Sequence, residues 1–448
     1  MKKIALLIIV SCIFPRLVLA QSKIKLEFDQ SYRDVKLNKT NSIMYSIKLE
    51  KDRIYEFKCV QDGIDVVTLL KDSKDKVLIE MDSPNGDFGP EIFEYVSNKT
   101  DDYIFEIKLL ENTPKAETGK VHFKVKSFPA NEIEKRKSIQ AYLKPYNDKN
   151  VQTIDIDHFW QAYDSLKFAS DLKDSVSVMQ RLYIDRATDG LKDFMRVRNF
   201  GAEKLINEMK KFPKFYASVR NNTLKAKETE KLVEEVFQNF KKIYPNFKPF
   251  KVCFAIGIAN TGGTVSNNFV LIGAEISCAT DNVDLSEWGN STYADMLRSK
   301  EDIVQKLYNI VAHECVHTQQ VYSIHKDAIS CPVLFGVLQE GICDFISEKV
   351  TKSHINKTAH KYGDDHEKDL WNLLKTDMCE KESINWLYNG GDVKEMPADL
   401  GYYMGYKIAE SFYNNAVDKE KAIVDIIEMN DPLKFLIESK YENKFKNN

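Results

Sequence analysis

The sequence lacks several features that mark common classes of protein. None of its eight cysteines forms a CxxC pair, so a zinc site built from cysteines alone is not expected. The net charge is only −3, which gives no reason to propose a nucleic-acid partner. After residue 20, no apolar run reaches the roughly 18 residues that span a bilayer, so no transmembrane segment is expected in the mature chain. An ordinary hydrophobic content of 43% over 448 residues instead indicates a folded protein of several units.

The first twenty residues, MKKIALLIIVSCIFPRLVLA, have the pattern of a secretory signal peptide. Lys2 and Lys3 precede an apolar run, and Val18 and Ala20 fit a small-residue cleavage site. We therefore expect export to the periplasm, the cell surface or the medium. An alternative interpretation takes IVSC as a lipoprotein signal with a lipid on Cys12, although the residues after it continue apolar instead of opening a polar tether.

Residue periodicity divides the mature chain into three regions. Residues 21–128 alternate apolar and polar side chains, as in IYEFKCV and YIFEIKL, and this pattern predicts a β-sandwich. Residues 129–245 change to three-to-four spacing, as in AEKLINEMKKF, which predicts a helical region that packs on the part of the chain after it. Residues 246–448 begin with a short β segment and continue mostly as helices. The predicted fold class is therefore multidomain, with an all-β sandwich before a mainly helical α+β part.

The β region resembles the bacterial pre-peptidase C-terminal type of β-sandwich module. The likeness lies in RIYEFKCVQDGIDVVTLLKDSKDKVLIEMDSPNGDFGPEIFEYV, DDYIFEIKLL and AETGKVHFKV. The resemblance implies a module that accompanies a secreted peptidase but carries no catalytic group. Attachment and folding assistance are both open as its role.

The cysteine positions raise the hypothesis of one disulfide. Seven cysteines follow the predicted signal, so at least one thiol is unpaired within the chain. The stretch CFAIGIANTGGTVSNNFVLIGAEISC reads as a hairpin with NTGGT at its turn. Cys253 and Cys278 are nearly equidistant from that turn, so a hairpin would place them opposite each other.

The stretch NIVAHECVHTQQVY carries the strongest functional signal. His313 and His317 are four residues apart, so on a helix both imidazoles project from one face and can share a metal ion. Glu314 follows the first histidine, where a base for a zinc-activated water belongs. The alternative is an ordinary buried helix, but that would bury a charged Glu314 without a partner. The pattern predicts a site for one Zn²⁺ ion.

A catalytic zinc ion takes three protein ligands, so a third ligand must lie outside this motif. The metzincin pattern requires Gly and His where this chain has Gln320 and Ser323, and that class is excluded. His325 is more than two turns along the same helix from His317, which is too far unless the helix breaks.

Glu340 is the predicted third ligand. It lies in LQEGICDF on the next predicted helix, which a short loop would let pack back against the first. Asp344 is four residues further on and therefore shares a face with Glu340. Because zinc-bound histidines usually donate their second N–H to a carboxylate, Asp344 is the predicted partner of His313. A solvated helix carboxylate is the alternative for Asp344.

HExxH followed by ExxxD resembles the gluzincin metallopeptidases, which include the thermolysin and aminopeptidase families. A closer likeness is to a family of predicted bacterial zinc-dependent proteases, through FWQAYDS, YIDRATDGLKDFMRVR, AHECVHTQQ, LQEGICDFISE and ADLGYYMGYKIAESFY. The resemblance implies a zincin-like catalytic domain at residues 246–448 that hydrolyses peptide or protein substrates. The resemblance implies one zinc ion, bound by His313, His317 and Glu340. It also implies that Glu314 is the general base and that Asp344 is a second carboxylate beside the ligands.

The resemblance also implies a tyrosine or histidine that stabilises the oxyanion. DLGYYMGY offers Tyr402 and Tyr406 on one helical face, and Tyr403 is not excluded; ordinary core or surface tyrosines are the alternative. The β segment before the zinc helix would supply the edge strand that pairs with an extended substrate. Gly262 and Gly263 in TGGT would let that substrate approach closely, or would simply form a turn.

Two other functions remain open at this point. The protein is alternatively a non-catalytic, zinc-containing surface binding or assembly factor, or a zinc hydrolase of a non-peptide amide. An intact Glu314 disfavours the first of these, whereas a fourth protein ligand such as His325 would favour it. We expect His354, His360 and His366 to be exposed, because they lie in a polar, lysine-rich stretch.

Overall fold

The computed structural model describes residues 24–38, 42–83, 88–110, 118–128, 130–289, 291–320, 330–390 and 396–446. The predicted signal peptide, Cys12 and His325 lie outside these residues. Within the described ranges, no helix combines the length and the apolar character needed to cross a membrane. The predicted fold class is confirmed, since a β-sandwich precedes a mainly helical α+β part with one small sheet.

The N-terminal part is a sandwich of two sheets with an aromatic core. Alternation produces it, because Tyr55, Phe57 and Cys59 on one face of a strand are all buried. Phe57 stacks on Phe93 across one sheet, with ring centroids 4.7 Å apart. The strands are β1 (Ile24–Lys25), β2 (Ser31–Asn38), β3 (Ile43–Leu49), β4 (Ile54–Asp62), β5 (Val66–Lys71), β6 (Val77–Met81), β7 (Phe88–Val96), β8 (Asp101–Leu109) and β9 (Thr118–Ser127). One sheet has the order β1-β3-β8-β5-β6 and the other β2-β9-β4-β7.

Helices follow the sandwich. They are α1 (Ala130–Asn147), α2 (Ile154–Ser165), α3 (Leu172–Leu182), α4 (Asp189–Val197), α5 (Ala202–Lys211), α6 (Pro213–Leu224) and α7 (Glu230–Ile243). Their apolar faces belong to one hydrophobic core that extends from Val151 to Tyr441. The helical region therefore shares a core with the part of the chain that carries the HExxH motif.

The remaining elements combine a small sheet with long helices. They are β10 (Val151–Gln152), β11 (Lys251–Ala255), β12 (Gly263–Val265), β13 (Phe269–Gly273), α8 (Ala274–Ser277), α9 (Thr292–Leu297), α10 (Ile303–His317), α11 (Pro332–Thr351), α12 (Lys357–Asp377), α13 (Leu400–Asn415), α14 (Lys419–Ile427) and α15 (Pro432–Ser439). The sheet order β10-β11-β13-β12 places β12 at an edge. α11 packs between α10 and α13.

The predicted hairpin over residues 253–278 is wrong in its turn and pairing. β11 and β13 run parallel, and the antiparallel pair is β12 with β13. The tight turn lies between β12 and β13, where the Ser266 hydroxyl accepts the amides of Asn268 and Phe269 at 3.3 and 3.1 Å. TGGT leads into the edge strand instead of forming the turn. Gly263 in this segment lies close to Glu314.

The hypothesised disulfide between Cys253 and Cys278 is also wrong. Both cysteines are free and buried, because Cys253 lies in β11 and Cys278 follows α8, on segments that do not face each other as hairpin partners. The disulfide joins Cys331, before the first residue of α11, to Cys379, after the end of α12. It therefore ties together the ends of two helices in the motif-bearing part.

One histidine expected at the surface lies inside. His360 is 9% exposed, and its ring packs edge-on against Tyr403 and Tyr406. The polar stretch around it misled the prediction, because α12 turns this position toward α13 while its lysines face solvent. His366 is exposed as expected, and His354 is half-buried.

Candidate active site

Helix α10 presents the two histidines of the motif. Asp302 begins it, with its side chain accepting the Gln305 amide at 3.0 Å. The stripe of Ile303, Leu307 and Val311 is buried and fixes which face points inward. His313 and His317 follow on the next turns with ring centroids 5.0 Å apart, so the spacing places both imidazoles side by side.

Helix α11 brings a carboxylate to both imidazoles. Pro332 occupies the first turn of α11, where a missing N–H costs nothing. Glu340 Oε2 lies 3.4 Å from His313 Nε2 and 3.2 Å from His317 Nε2. Ligands on a tetrahedral zinc ion with bonds of about 2.05 Å are roughly 3.3 Å apart. The separation of these atoms therefore fits a shared zinc ion.

Polar partners orient the other nitrogen of each ring. His313 Nδ1 lies 2.8 Å from Asp344 Oδ1, whose second oxygen accepts Asn356 Nδ2 at 2.6 Å. His317 Nδ1 lies 3.0 Å from Gln320 Oε1. When both Nδ1 atoms donate to these oxygens, both Nε2 lone pairs face Glu340. This tautomer is the one that a metal ligand requires.

Cys343 is a second candidate donor in this region. The donor atoms of His313, His317 and Cys343 lie within 4.8 Å of one another, so this buried group could hold a metal ion. The Cys343 sulfur, however, lies 3.3 Å from His317 Nδ1, the nitrogen that also faces Gln320. Glu340 Oε2 lies 3.4 and 3.2 Å from the two Nε2 atoms, so a cation bound by both of them meets Glu340.

The charges of the site favour a cation. Burial lowers the pKa of His313, but hydrogen bonds to Asp344 and Glu340 outweigh it and hold that pKa well above its usual value. Burial raises the pKa of Glu340, but His317 and His313 outweigh it and hold that pKa well below its usual value. The carboxylates thus stabilise positive charge between the imidazoles, as protons or as a metal ion.

Glu314 lies beside this group and against the edge strand. Burial raises its pKa, which the two histidines only partly offset. A Cβ built on Gly263 would stand 2.4 Å from Glu314 Oε1, so a larger residue there would displace the Glu314 side chain or the strand. Gly262 has no such contact with Glu314, because a Cβ on it would meet Ser277 Oγ at 3.2 Å. Of the two predicted glycines, the structure brings Gly263 to the site.

One protein family matches the part of the chain that carries this site. Residues 266–430 match the family described as Predicted Zn-dependent protease (DUF2268). The match includes α10, α11 and α13, whereas the sandwich and α1–α7 lie outside it. No curated protein matches the chain.

Two solved structures are similar to part of the chain. One is the pre-peptidase C-terminal domain of a collagenase from Bacillus anthracis, with 13% identity, a TM-score of 0.19 and coverage of 23% of this chain and 94% of that chain. The other is PliG, a periplasmic inhibitor of g-type lysozyme from Salmonella Typhimurium, with 17% identity, a TM-score of 0.17 and coverage of 23% and 98%. We draw nothing about function from either likeness.

The structure separates the tyrosines considered for the oxyanion. The Tyr402 ring stacks on His313, with centroids 6.0 Å apart, and lies at the site. The Tyr406 hydroxyl donates to Glu348, two turns beyond Glu340 on α11, and the Tyr403 hydroxyl donates to Asp364 at 3.1 Å. Of these three tyrosines, Tyr402 is therefore the one that packs on His313 of the motif.

Tyr388 is a site residue that the sequence did not suggest. Its hydroxyl donates to Glu340 Oε1 at 2.6 Å, although 73% of the residue is exposed. Burial of the hydroxyl end and the nearby Glu340 raise its pKa, so it remains protonated and able to donate. Tyr388 lies in a loop before α13 with a left-handed φ of 58°. No local sequence pattern predicts that this tyrosine lies at the site.

Arg198 is a second unexpected residue. It follows α4, and its Nη2 donates to Thr261 Oγ1 at 2.8 Å and lies 3.4 Å from the Gly263 carbonyl oxygen. Burial lowers its pKa, while the charge of Glu314 raises it. In the sequence, Arg198 ends the segment YIDRATDGLKDFMRVR, which contributes to the family resemblance. The resemblance assigns no role to this arginine.

Proposed function

We propose that this protein is an exported zinc-dependent peptidase whose zinc ligands are His313, His317 and Glu340. The convergence of two Nε2 atoms and one carboxylate oxygen at 3.2 to 3.4 Å carries the proposal. Two nitrogens and one oxygen are a common donor set for catalytic zinc, and three protein ligands leave one position open. A zinc ion bound there supplies Lewis acidity, which acidifies water and polarises a scissile carbonyl.

Glu314 acts as the general base in this proposal. Burial raises its pKa, which makes it a stronger base than an exposed carboxylate. It accepts the proton of the attacking water and then donates it to the leaving amine. Tyr388 and Tyr402 are the candidates to donate a hydrogen bond to the developing oxyanion, because both lie beside the ligands.

The edge strand β12 is suited to hold an extended substrate. Gly262 O accepts Gly273 N at 3.1 Å, and Ser266 N donates to Phe269 O at 2.8 Å. Because hydrogen-bonded pairs alternate in an antiparallel ladder, the backbone groups of Gly263 and Val265 face away from β13. The Gly263 carbonyl oxygen already accepts the Thr261 hydroxyl at 2.6 Å and lies 3.4 Å from Arg198 Nη2. An extended peptide would therefore pair with this edge through Val265 and run past Glu314.

Export rests on the signal pattern of the first twenty residues and on the disulfide. Cys331 and Cys379 are joined, and structural disulfides persist mainly in oxidising compartments. We therefore place the peptidase outside the cytoplasm, in the periplasm, at the cell surface or in the medium.

The test compares residues 21–448 with a Glu314→Gln variant, each loaded with equal zinc and incubated with a mixed peptide library. Gln keeps the size of Glu314 but cannot accept the proton. Cleavage by the first protein alone is the expected result, and the cut sites give the specificity. Zinc in both proteins without cleavage by either would instead favour a zinc-containing binding or assembly factor.

A further inference from the structure

The proposed active site depends on the position of β12. β12 pairs with β13 on one side only, and Gly263 touches the Glu314 carboxylate at a distance that excludes a Cβ. A shift of the strand by a fraction of an ångström changes both the substrate-binding edge and the surroundings of Glu314. Contacts from outside the sheet must therefore hold this strand.

Helix α4 holds both ends of β12. At the first end, Arg198 donates to Thr261 Oγ1 at 2.8 Å and reaches the Gly263 carbonyl oxygen. At the other end, Asp193 Oδ2 accepts the Ser266 hydroxyl at 2.7 Å, and Ser266 closes the turn into β13. Phe194 lies between these contacts and packs against Gly257 and Gly273 of the same sheet region. Side chains on α4 and just after it therefore contact both ends of β12, while the helix itself packs on β11 and β13.

The same helix contacts the sandwich through Arg196. Arg196 Nη2 forms an ion pair with Asp193 Oδ1 at 2.6 Å, and each side chain is 15% exposed. Arg196 Nη1 lies 3.3 Å from the sulfur of Met81 at the end of β6. Glu91 in β7 is near enough for the charge of Arg196 to lower its pKa, which burial raises to about 8. The Arg196 guanidinium therefore connects the sandwich to Asp193, which accepts the Ser266 hydroxyl.

We propose that the β-sandwich is a positioning module for the substrate-binding edge, and that Arg196 and Asp193 are the positioning residues that link it to β12. The chain of contacts runs from Met81 through Arg196 and Asp193 to Ser266. This inference rests on the proposed function for its catalytic consequence, but the mechanical link exists whether or not the protein cleaves peptides. It assigns the sandwich a role in ordering the site.

The test measures hydrogen exchange at the amides of Ser266 and Gly273, whose hydrogen bonds join β12 to β13. The full chain is compared with Met81→Ala, Asp193→Asn and Ser266→Ala. Asp193→Asn keeps an acceptor for Ser266 but removes the ion pair. Ser266→Ala keeps the ion pair but removes the hydroxyl that donates to Asp193 and that accepts the turn amides of Asn268 and Phe269, so it gives the upper limit for loss of this contact. Lys192→Ala is the matched control, because Lys192 lies on the same helix and forms an exposed ion pair with Asp189, away from Ser266. Exchange in β4 reports whether the sandwich itself stays folded.

We expect exchange at both amides to rise about tenfold in Ser266→Ala and Asp193→Asn, as the loss of a hydrogen bond or charge pair predicts. Met81→Ala should raise exchange at both amides by a smaller factor, with exchange in β4 unchanged. Lys192→Ala should leave exchange at both amides unchanged. Unchanged exchange in Met81→Ala, or an equal rise in Lys192→Ala, would overturn the proposal.

A kinetic readout separates positioning from general destabilisation. If the protein cleaves peptides, Met81→Ala and Asp193→Asn should raise KM for an extended peptide more than KM for a short amide that does not reach β12. Equal effects on both substrates would contradict a role for the edge strand. A wild-type protein without peptidase activity would refute the proposed function, while the exchange data would still decide the positioning proposal.

Discussion

Gly263 lies against Glu314 so closely that the edge strand and the proposed general base form one unit. A Cβ on Gly263 would stand 2.4 Å from Oε1 and 2.7 Å from Cδ of the carboxylate. Gly263 in TGGT therefore serves a close approach of two parts of this chain.

Gly263→Ala should impair catalysis without loss of zinc. The added methyl group must push either β12 or the Glu314 carboxylate, and a misplacement of about 1 Å can cost about a hundredfold in rate. We expect kcat/KM to fall by about that factor with the zinc content unchanged. Gly262→Ala is the control, because its added Cβ meets only Ser277 Oγ and Ile276, away from Glu314. Equal losses in the two variants would argue against the contact.

The partners of the two Nδ1 atoms should control zinc affinity. Asp344→Asn removes the charge that faces His313, and Gln320→Ala removes the acceptor that faces His317. Loss of such partners typically weakens metal binding about 10- to 100-fold, so each variant should do so in a competition titration with a chelator. Gln319→Ala is the matched control, since Gln319 binds the backbone of Lys248 and not a histidine. An unchanged zinc affinity in both variants would contradict the ligand geometry.

Tyr388 should stabilise the transition state more than the ground state. Tyr388→Phe removes the hydroxyl that donates to Glu340 Oε1 at 2.6 Å and that we propose as a donor to the oxyanion. Loss of one such donor costs about 10² to 10³ in kcat in other hydrolases, and we expect a fall within that range with little change in KM. Tyr402→Phe tests the second candidate. Tyr406→Phe should leave kcat unaffected, because Glu348 holds that hydroxyl elsewhere.

The parts of the site that sequence reasoning found are those set by helical geometry. The i, i+4 spacing fixes His313 and His317 on one face, and the same spacing puts Glu340 and Asp344 on one face of α11. The fold class followed from periodicity for the same reason. Local periodicity carries this information without any knowledge of distant contacts.

The missed features depend on contacts between distant segments. Tyr388 reaches Glu340 from a loop 48 residues further along the chain, and Arg198 reaches Gly263 from 65 residues before it. The error in the hairpin has the same origin, because glycines that allow a close approach look like glycines that form a turn. His360 shows that a polar stretch does not fix burial when a second helix covers one of its faces.

The carboxyl group of Glu275 should make stability depend on pH. Burial raises its pKa from 4.5 to about 7, although the amides of Gly257 and Ala259 donate to it at 2.9 and 3.0 Å. Between these two pH values the folded chain keeps a proton that the unfolded chain has released. The free energy of unfolding contributed by this group is therefore fully present below about pH 4.5 and falls as the pH rises toward 7.

The magnitude follows from linkage, since one pKa unit corresponds to about 1.4 kcal/mol and the whole shift to about 3 kcal/mol. Urea unfolding at pH 5 and at pH 8 should show this loss in the wild-type chain. Glu275→Gln removes the titrating proton and should flatten the difference between the two pH values by that amount. Glu287→Gln is the control, because Glu287 lies near the surface and accepts the amides of Lys214 and Phe215. An equal pH dependence in wild type and Glu275→Gln would show that this carboxyl does not titrate in the folded state as expected.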